Sequence, residues 1–436
     1  MILWEDLTMN TKLIEKTEKG AKIEVFVPFG KSMLESEDLI QEAVNEVGAM
    51  ATEEVLKDFD TDGSPIEMGD VTFYSKTAKV DKKYETPYGP VTIGRYVYQS
   101  SKGGSTFCPL DQNARIITSS TPRFAKIVSH KYSAKGGREV CNDLEISNGR
   151  QIAKSFVQNI SETVGSIALL KEESWHYKTP KLDKKVTSIS IGLDATCMYV
   201  VENGYREAMV GTISLYDSQC ERLHTTYIAE RPEYGKGTFL SRFEREIKNV
   251  QKVYPNATDV GLADGAKDNW AFLQAHTSIQ TIDFYHVTGY IGKAASVMFK
   301  DDKQKEEWIS TSCHNLKHKQ GAAKKILAEI IDFPQGNLSK ENKEKINSTI
   351  TYFSNNILKM RYSKNVKNKL PIGSGVTEAA CKVIVKQRLC CSGMKWKDRG
   401  AGIVLSLRCM ERTEGRWDQF WNKIDQYGVP SFRKVS

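Results

Sequence analysis

No stretch of this sequence stays apolar for the ~18–20 residues that a membrane-spanning helix needs, so a helical membrane protein is not expected. The opening "MILWEDLTMNTKLIEKTEKG" is acidic early and lacks an apolar core, so a signal peptide is not expected either, and the expected compartment is the cytoplasm. No CxxC pair occurs among nine scattered cysteines, and Cys390 and Cys391 are adjacent, which suits a single bridge poorly. The thiols therefore read as reduced and intracellular. A zinc site is not expected: the nearest candidate set, Cys313, His314 and His318 in "TSCHNLKHKQ", has no zinc-motif spacing. Internal repeats and low-complexity segments are missing too. The most informative scarcity is local. From Lys345 through Lys397 eleven Lys and Arg accompany one acidic residue, Glu378, which follows a Gly-Ser-Gly turn.

The chain has 436 residues, enough for two or three cored domains. Its net charge of +8 is unevenly spread. Residues 1–70 hold 6 Lys/Arg against 17 Asp/Glu, whereas residues 355–436 hold 17 against 6. A basic segment of that density suits a polyanion partner, nucleic acid first, although a solvated basic face has the same composition.

Hydrophobic periodicity divides the chain. Over residues 33–58 apolar side chains recur at helical spacing (Leu39, Ile40, Ala43, Val44, Val47, Met50), predicting an amphipathic acidic helix. Residues 71–100 alternate and contain the "TPYGP" turn, predicting a small β region within 1–110. Residues 111–178 are helical: a helix from Pro122, a "KGG" break, a short helix over 138–144, the turn "SNG" and a helix over 150–167. That rhythm has the form of a helix-turn-helix, with Arg150, Lys154 and Gln158 on one face able to meet DNA; an ordinary bundle with a polar stripe has the same pattern. From 186 to 289 three strands precede helix, strand, helix and strand. This is the element order of an RNase H-like fold, so the predicted class is α/β with a mixed five-stranded sheet. An all-α insertion over 290–370 interrupts that core, and 371–436 supplies its final helices and a basic C-terminal segment.

Three carboxylates stand at special places in this plan. Asp194 lies inside the first core strand, where an unpaired acid is costly to bury. Asp264 ends the fourth strand, at the edge where α/β sites are built. Glu378 begins the helix after the insertion. The first and fourth strands are neighbours in such a sheet and the last helix covers them, so the three acids converge and repel unless a cation neutralises them. Oxygen ligands with room for phosphate suit Mg²⁺ or Mn²⁺, and two such ions can serve an in-line phosphoryl displacement. Singly, each acid is as readily a turn, cap or dipole residue. Asp283 and His286 in "TIDFYHVTGY" are expected in the next strand, either as a satisfied core pair or as groups orienting a carboxylate or phosphate. Asp268 and Glu202 suit ligation less well, lying in a helix and a strand-to-strand turn.

The pieces "GLDAT", "LADGA", "DFYHV", "CHNLKH", "PIGSGVTEAACKVIVKQRL" and "GMKWKDRGAGIVLSLR", in this order, resemble bacterial insertion-sequence transposases of the ISKra type, relatives of the Mutator-like group with a DDE triad. The resemblance covers the chain from about "TPYGPVTIG" to "GRWDQFW" and is weakest over residues 1–70. It implies a nucleoid-associated enzyme that cuts and joins double-stranded DNA at an element's terminal inverted repeats, with Asp194, Asp264 and Glu378 as a triad holding two Mg²⁺ or Mn²⁺ ions. Asp283 and His286 match the family's (Cys/Asp)-x-x-His signature. Lys382 and Lys386, on the helical face of Glu378, are expected to grip flanking phosphates, with Arg388, Lys395, Lys397 and Arg399 extending the track. Trp396 and Trp308 are candidates for stacking on an unpaired base, Trp308 equally for packing within its own hairpin. Synapsis of two ends implies a homodimer or higher oligomer. The alternatives are an RNase H-like nuclease that only hydrolyses, and a domesticated DNA-binding protein without catalysis.

Overall fold

A computed structural model describes residues 10–429. Residues 1–9, which carry part of the stretch read against a signal peptide, and 430–436 lie outside the described residues. Among those described, no helix is long and apolar enough to cross a membrane. The chain forms two units, one from residues up to Tyr177 together with those from Trp417 onward, the other from Lys178 to Arg416.

The first unit opens with a hairpin, Asn10–Thr17 with Gly20–Phe26, that periodicity did not announce because only its alternate side chains are even partly covered. The acidic helix follows at Met33–Lys57, capped by the Ser32 hydroxyl, which accepts from the Glu35 amide. The expected small β region is split between a three-stranded sheet (Ile66–Met68, Val71–Ser75, Tyr98–Ser100) and a hairpin (Val80–Glu85, Pro90–Arg95). Thr86 closes that hairpin's turn, its hydroxyl accepting from the Gly89 amide and donating to the Gly89 carbonyl. Three helices then run over Pro122–Ala134, Gly137–Asn148 and Lys154–Lys171, with Gly149 turning the chain at φ 62°. The last helix, Arg416–Tyr427, was expected beside the core but packs here from Trp417 on: Trp417 meets His130, Phe420 meets Trp175, and Lys126 pairs with Asp418.

One expected DNA contact is corrected in this unit. The third helix starts at Lys154, so Arg150 precedes it. Arg150 is buried, its guanidinium bonded to Glu85 at 2.6 Å and to the Thr86 carbonyl, and thus fastens the hairpin turn. Lys154 and Gln158 are exposed, the latter donating to Glu162.

The second unit is built on five strands: β1 (Ser188–Val200), β2 (Gly204–Tyr216), β3 (Arg222–Glu230), β4 (Thr258–Ala263) and β5 (Ile279–Ile282). Their order across the sheet is β3-β2-β1-β4-β5, antiparallel between the first three and parallel from β1 to β5. The expected mixed α/β architecture is thus present, and its strand order is compatible with an RNase H-like core. β1 and β2 are long and largely buried, and alternate side chains go to opposite faces. Ile189, Ile191 and Leu193 join Ile213 and Leu215 against α1 (Gly237–Val253), which presents Phe239, Phe243, Ile247 and Val250. Gly211 permits this contact, because any Cβ there would enter the Phe243 ring.

After α2 (Lys267–His276), the helices are α3 (Phe284–Met298), α4 (Asp302–His318), α5 (Ala322–Ile331), α6 (Lys340–Asn356) and α7 (Tyr362–Lys367). The expected insertion is therefore helical, but it has no separate core. Leu316, Ile326, Ile330, Ile346 and Phe353 belong to the same hydrophobic cluster as the sheet. Tyr362 donates to the Ile282 carbonyl at 2.9 Å and Asn365 to Thr281 at 2.7 Å, fastening α7 to β5. The chain returns in α8 (Gly375–Ala380), which widens into a π-helical stretch, Cys381–Lys386, before the turn α9 (Gln387–Leu389) and the helix α10 (Asp398–Arg412).

Candidate active site

The face of the sheet opposite α1 carries the site. Ser190, Gly192 and Asp194 alternate with the apolar residues of β1 and so point to this side. α8 lies directly on it. Thr377, buried, shares a 2.7 Å hydrogen bond with Thr212 of β2, and a Cβ at Gly192 would collide with the Thr377 hydroxyl. Gly192 thus sets how near the helix comes. Asp194 is two residues beyond Gly192 on the same face, and Glu378 is one residue beyond Thr377, so the close approach brings the two acids towards one another.

Asp264 arrives by strand register. Leu262 pairs with Gly192 in the parallel ladder, and Asp264 and Asp194 each lie two residues further on. The chain turns sharply there: Gly265 adopts φ +124°, and Tyr352 of α6 donates to the Asp264 carbonyl at 2.8 Å. The electrostatics agree with the register. Burial pushes the Asp194 carboxyl above its ordinary pKa, the charges on Asp264 and Glu378 push it further, and the Ala195 amide and Cys381 thiol oppose them by hydrogen bonding. Those bonds are 2.7 Å from the Ala195 amide and 3.5 Å from the Cys381 sulfur.

The placement of Asp283 and His286 differs from expectation. β5 ends at Ile282, and Asp283 is the N-cap of α3, its Oδ1 accepting from the His286 amide at 2.6 Å. An Asp three residues ahead of a free amide favours helix initiation over strand continuation. The other oxygen, Oδ2, accepts from the Ser374 amide at 2.5 Å. Asp283 therefore ties the end of β5 to the Gly-Ser-Gly turn. The glycines of that turn, Gly373 and Gly375, are not in the left-handed region, and Gly373 instead packs against Tyr285 and Asp283. Ser374 completes the link by donating its hydroxyl to Glu378 Oε1 at 2.8 Å.

Two sets of possible ligands overlap at Glu378. Among the described residues, the tightest group is Asp283, His286 and Glu378, whose ligating atoms all lie within 4.8 Å of one another. His286 Nδ1 is 3.3 Å from Asp283 Oδ1 and 3.7 Å from Glu378 Oε1. Asp283 is poorly suited to ligation, because it is fully buried and both oxygens already accept backbone amides. Asp194, Asp264 and Glu378 form the looser set, in which the charges of Asp264 and Glu378 add to the burial that raises the Asp194 pKa. An all-oxygen donor set with uncompensated repulsion fits a hard divalent cation. In that arrangement His286 stands beside Glu378, and Asp283 orients His286. Comparison with protein-family models and with curated proteins finds no match.

The basic track is partly corrected. Lys382, Lys386, Lys395, Lys397 and Arg399 are exposed. Arg388 is buried under the Trp396 ring at 5.2 Å, and Trp396 donates to the Leu389 carbonyl, so this pair packs the segment together and the indole is not offered to a base. Trp308 likewise packs on Phe299 and donates to Glu329. The common face expected for Glu378, Lys382 and Lys386 assumed an uninterrupted α-helix, and both lysines instead lie in the π-helical stretch Cys381–Lys386. Asp268 and Glu202 are exposed, in α2 and the β1–β2 turn as expected. Sequence reasoning missed Cys381, Ser374, Thr212, Thr377 and Tyr352, which place the acids without being acids. Gly192, two residues ahead of Asp194 in an otherwise bulky strand, was the available signal.

Proposed function

We propose that this protein is a metal-dependent polynucleotidyl transferase of the DDE type, a transposase on an RNase H-like core that cleaves and joins double-stranded DNA. The observation that carries the proposal is that Asp194 and Asp264 lie equally far beyond the last Gly192–Leu262 pair of adjacent parallel strands, Asp264 just past the end of its own, with the charges of Asp264 and Glu378 both acting on Asp194. Asp194, Asp264 and Glu378 would hold divalent cations, Mg²⁺ or Mn²⁺, which supply activation of the attacking oxygen and stabilisation of the leaving one. The chain's own residues do the positioning. Ser374 fixes one carboxylate oxygen of Glu378, Cys381 and the Ala195 amide fix Asp194, and Asp283 holds both the turn before α8 and the His286 ring. His286 is half-exposed beside Glu378, where it can reach a phosphate oxygen. The exposed Lys382, Lys386, Lys395, Lys397 and Arg399 follow Glu378 in the chain and supply positive charge suited to a DNA backbone.

The direct test is a strand-transfer assay with labelled element ends, target DNA and Mg²⁺. Wild-type protein is expected to give joined product and Glu378→Gln none; undiminished joining by Glu378→Gln refutes the triad. Cleavage without joining would assign a hydrolytic nuclease. Joining is also expected to need two copies of the protein on paired ends.

A further inference from the structure

A second charged feature of this unit lies away from the carboxylates. A cavity of about 790 Å³ opens between the α4–α5 junction and α7, and its lining includes Lys319, Lys324, Arg361, Lys364 and Lys367 with His318. None of its lining residues is acidic. His318 and Lys319 have a local explanation, since they stand at the negative end of α4. Lys324 has the opposite setting. It lies in the first turn of α5, whose N-cap, Gly321 at φ 78°, has no side chain to cap the helix. A cation beside the positive end of a helix destabilises it, whereas an anion there is favoured. Arg361, Lys364 and Lys367 face outward because Tyr362 and Asn365 of the same short helix are buried and bonded to β5. The fold thus fixes a row of cations at a rigid place.

We propose that this cavity binds the phosphodiester backbone of a nucleic-acid strand, as a site separate from the carboxylates. The charges are spread along two elements, which matches the spaced phosphates of a strand better than one small anion, and Arg361 offers a planar fork for phosphate oxygens. The choice of nucleic acid as occupant rests on the phosphoryl-transfer function proposed above.

The test is the salt dependence of binding to a fluorescein-labelled duplex of random sequence, by anisotropy between about 50 and 200 mM salt. EDTA is present, so no divalent cation contributes and the outcome does not depend on the carboxylates. The full-length variant Lys324→Ala/Arg361→Ala/Lys364→Ala/Lys367→Ala is expected to lower the slope of log affinity against log salt by about 3.6, since each of the four phosphate contacts contributes about 0.9. A fall of less than about 1 overturns the proposal, because it corresponds to less than one phosphate contact. Glu378→Gln should keep the wild-type slope while losing strand transfer, so the two proposals fail separately. Inorganic phosphate should compete no better than chloride at equal ionic strength; specific competition would identify a single-anion site and overturn the strand assignment. If the fourfold variant does not fold, a photocrosslinking benzophenone residue in place of Leu358, which is 73% exposed and lines the cavity, decides the matter. It should crosslink to the labelled duplex, and absence of the crosslink overturns the proposal.

Discussion

Replacing Gly192 by alanine tests the way this site is assembled. The added Cβ would stand well inside 3.0 Å of the Thr377 hydroxyl, 3.3 Å from that of Thr212 and 3.4 Å from the Leu262 carbonyl. The backbone carbonyl belongs to the neighbouring strand and has little freedom, so the displaced element is α8. Overpacking of this kind costs about 1–3 kcal/mol. Thr377→Ala removes the colliding oxygen but leaves the Thr212 hydroxyl, 1% exposed, without its 2.7 Å partner. That loss alone costs about 1–3 kcal/mol. In the double variant the collision is gone, so the two effects should fall short of additivity by more than about 1 kcal/mol. Urea unfolding of the four proteins measures this cycle without any assumption about function. Activity gives the second readout. A shift of about 1 Å in Glu378 relative to Asp194 is expected to lower the strand-transfer rate on the order of 100-fold in Gly192→Ala. The double variant should recover part of that loss. Strict additivity in stability, or full activity in Gly192→Ala, refutes the argument that this glycine sets the distance between helix and strand.

Four further outcomes follow from the same geometry. Mn²⁺ should raise the thermal midpoint of the wild-type protein, by the equivalent of about 2.7 kcal/mol at a hundredfold excess over Kd, and Asp264→Asn should abolish the shift; if Asp283→Asn abolishes it while Asp264→Asn does not, the ligand set is the tighter one. Asp283→Ala should cost about 2–4 kcal/mol in urea unfolding, because the His286 and Ser374 amides lose their acceptor, and a change below about 0.5 kcal/mol would show that the turn is held by other means. Because the folded, metal-free protein holds the Asp194 proton to higher pH than the unfolded chain does, ionising Asp194 costs stability as pH rises from the ordinary carboxylate range through the raised value; Asp194→Asn should therefore stabilise at neutral pH and lose that advantage in acid, and destabilisation at pH 7 would contradict the crowding of acids. Arg150→Ala should cost about 1.5–3 kcal/mol by removing the charge-assisted bonds to Glu85, which keeps its pair with Lys83, and to the Thr86 carbonyl, yet leave the salt slope of DNA binding unchanged; a lower slope would return Arg150 to the DNA surface.

The fold of the second unit was legible wherever one physical signal dominated. The long apolar stretches of β1 and β2, the amphipathic α1 and the short apolar β4 each carry one signal, and their order predicts the mixed sheet that is found. Asp194 was legible as an acid inside an apolar strand, and Asp264 as an acid just past the end of one. At the end of β5 two signals compete. "TIDFYHV" continues the apolar run of a strand, but Asp283 can cap a helix with its own carboxylate, and capping wins where the pairing with β4 ends at Ile282. The hairpin over 10–26 escaped notice because its side chains are mostly exposed and need no apolar alternation.

Charge was the least reliable guide, and the reason is geometric. Composition counts Arg150 and Arg388 as part of a basic surface, yet each guanidinium is buried on a specific partner: Glu85 for one, the Trp396 ring for the other. A long side chain with a charged tip can lie under or over its neighbours, and spacing along the chain does not say which. The same limit applies to Lys382 and Lys386. Their four-residue spacing was read on an unbroken α-helix, whereas a π-helical stretch begins three residues after Glu378 and takes in both lysines. That stretch lies where α8 has to satisfy Thr212 with Thr377 and Asp194 with Cys381 at once. Two anchors on adjacent strands fix the helix at both residues, and the wider turn then takes up the mismatch with the chain that follows. A single exposed acid in a basic run was visible in the sequence; the polar and glycine contacts that set its distance from Asp194 are visible only when strand and helix are placed together.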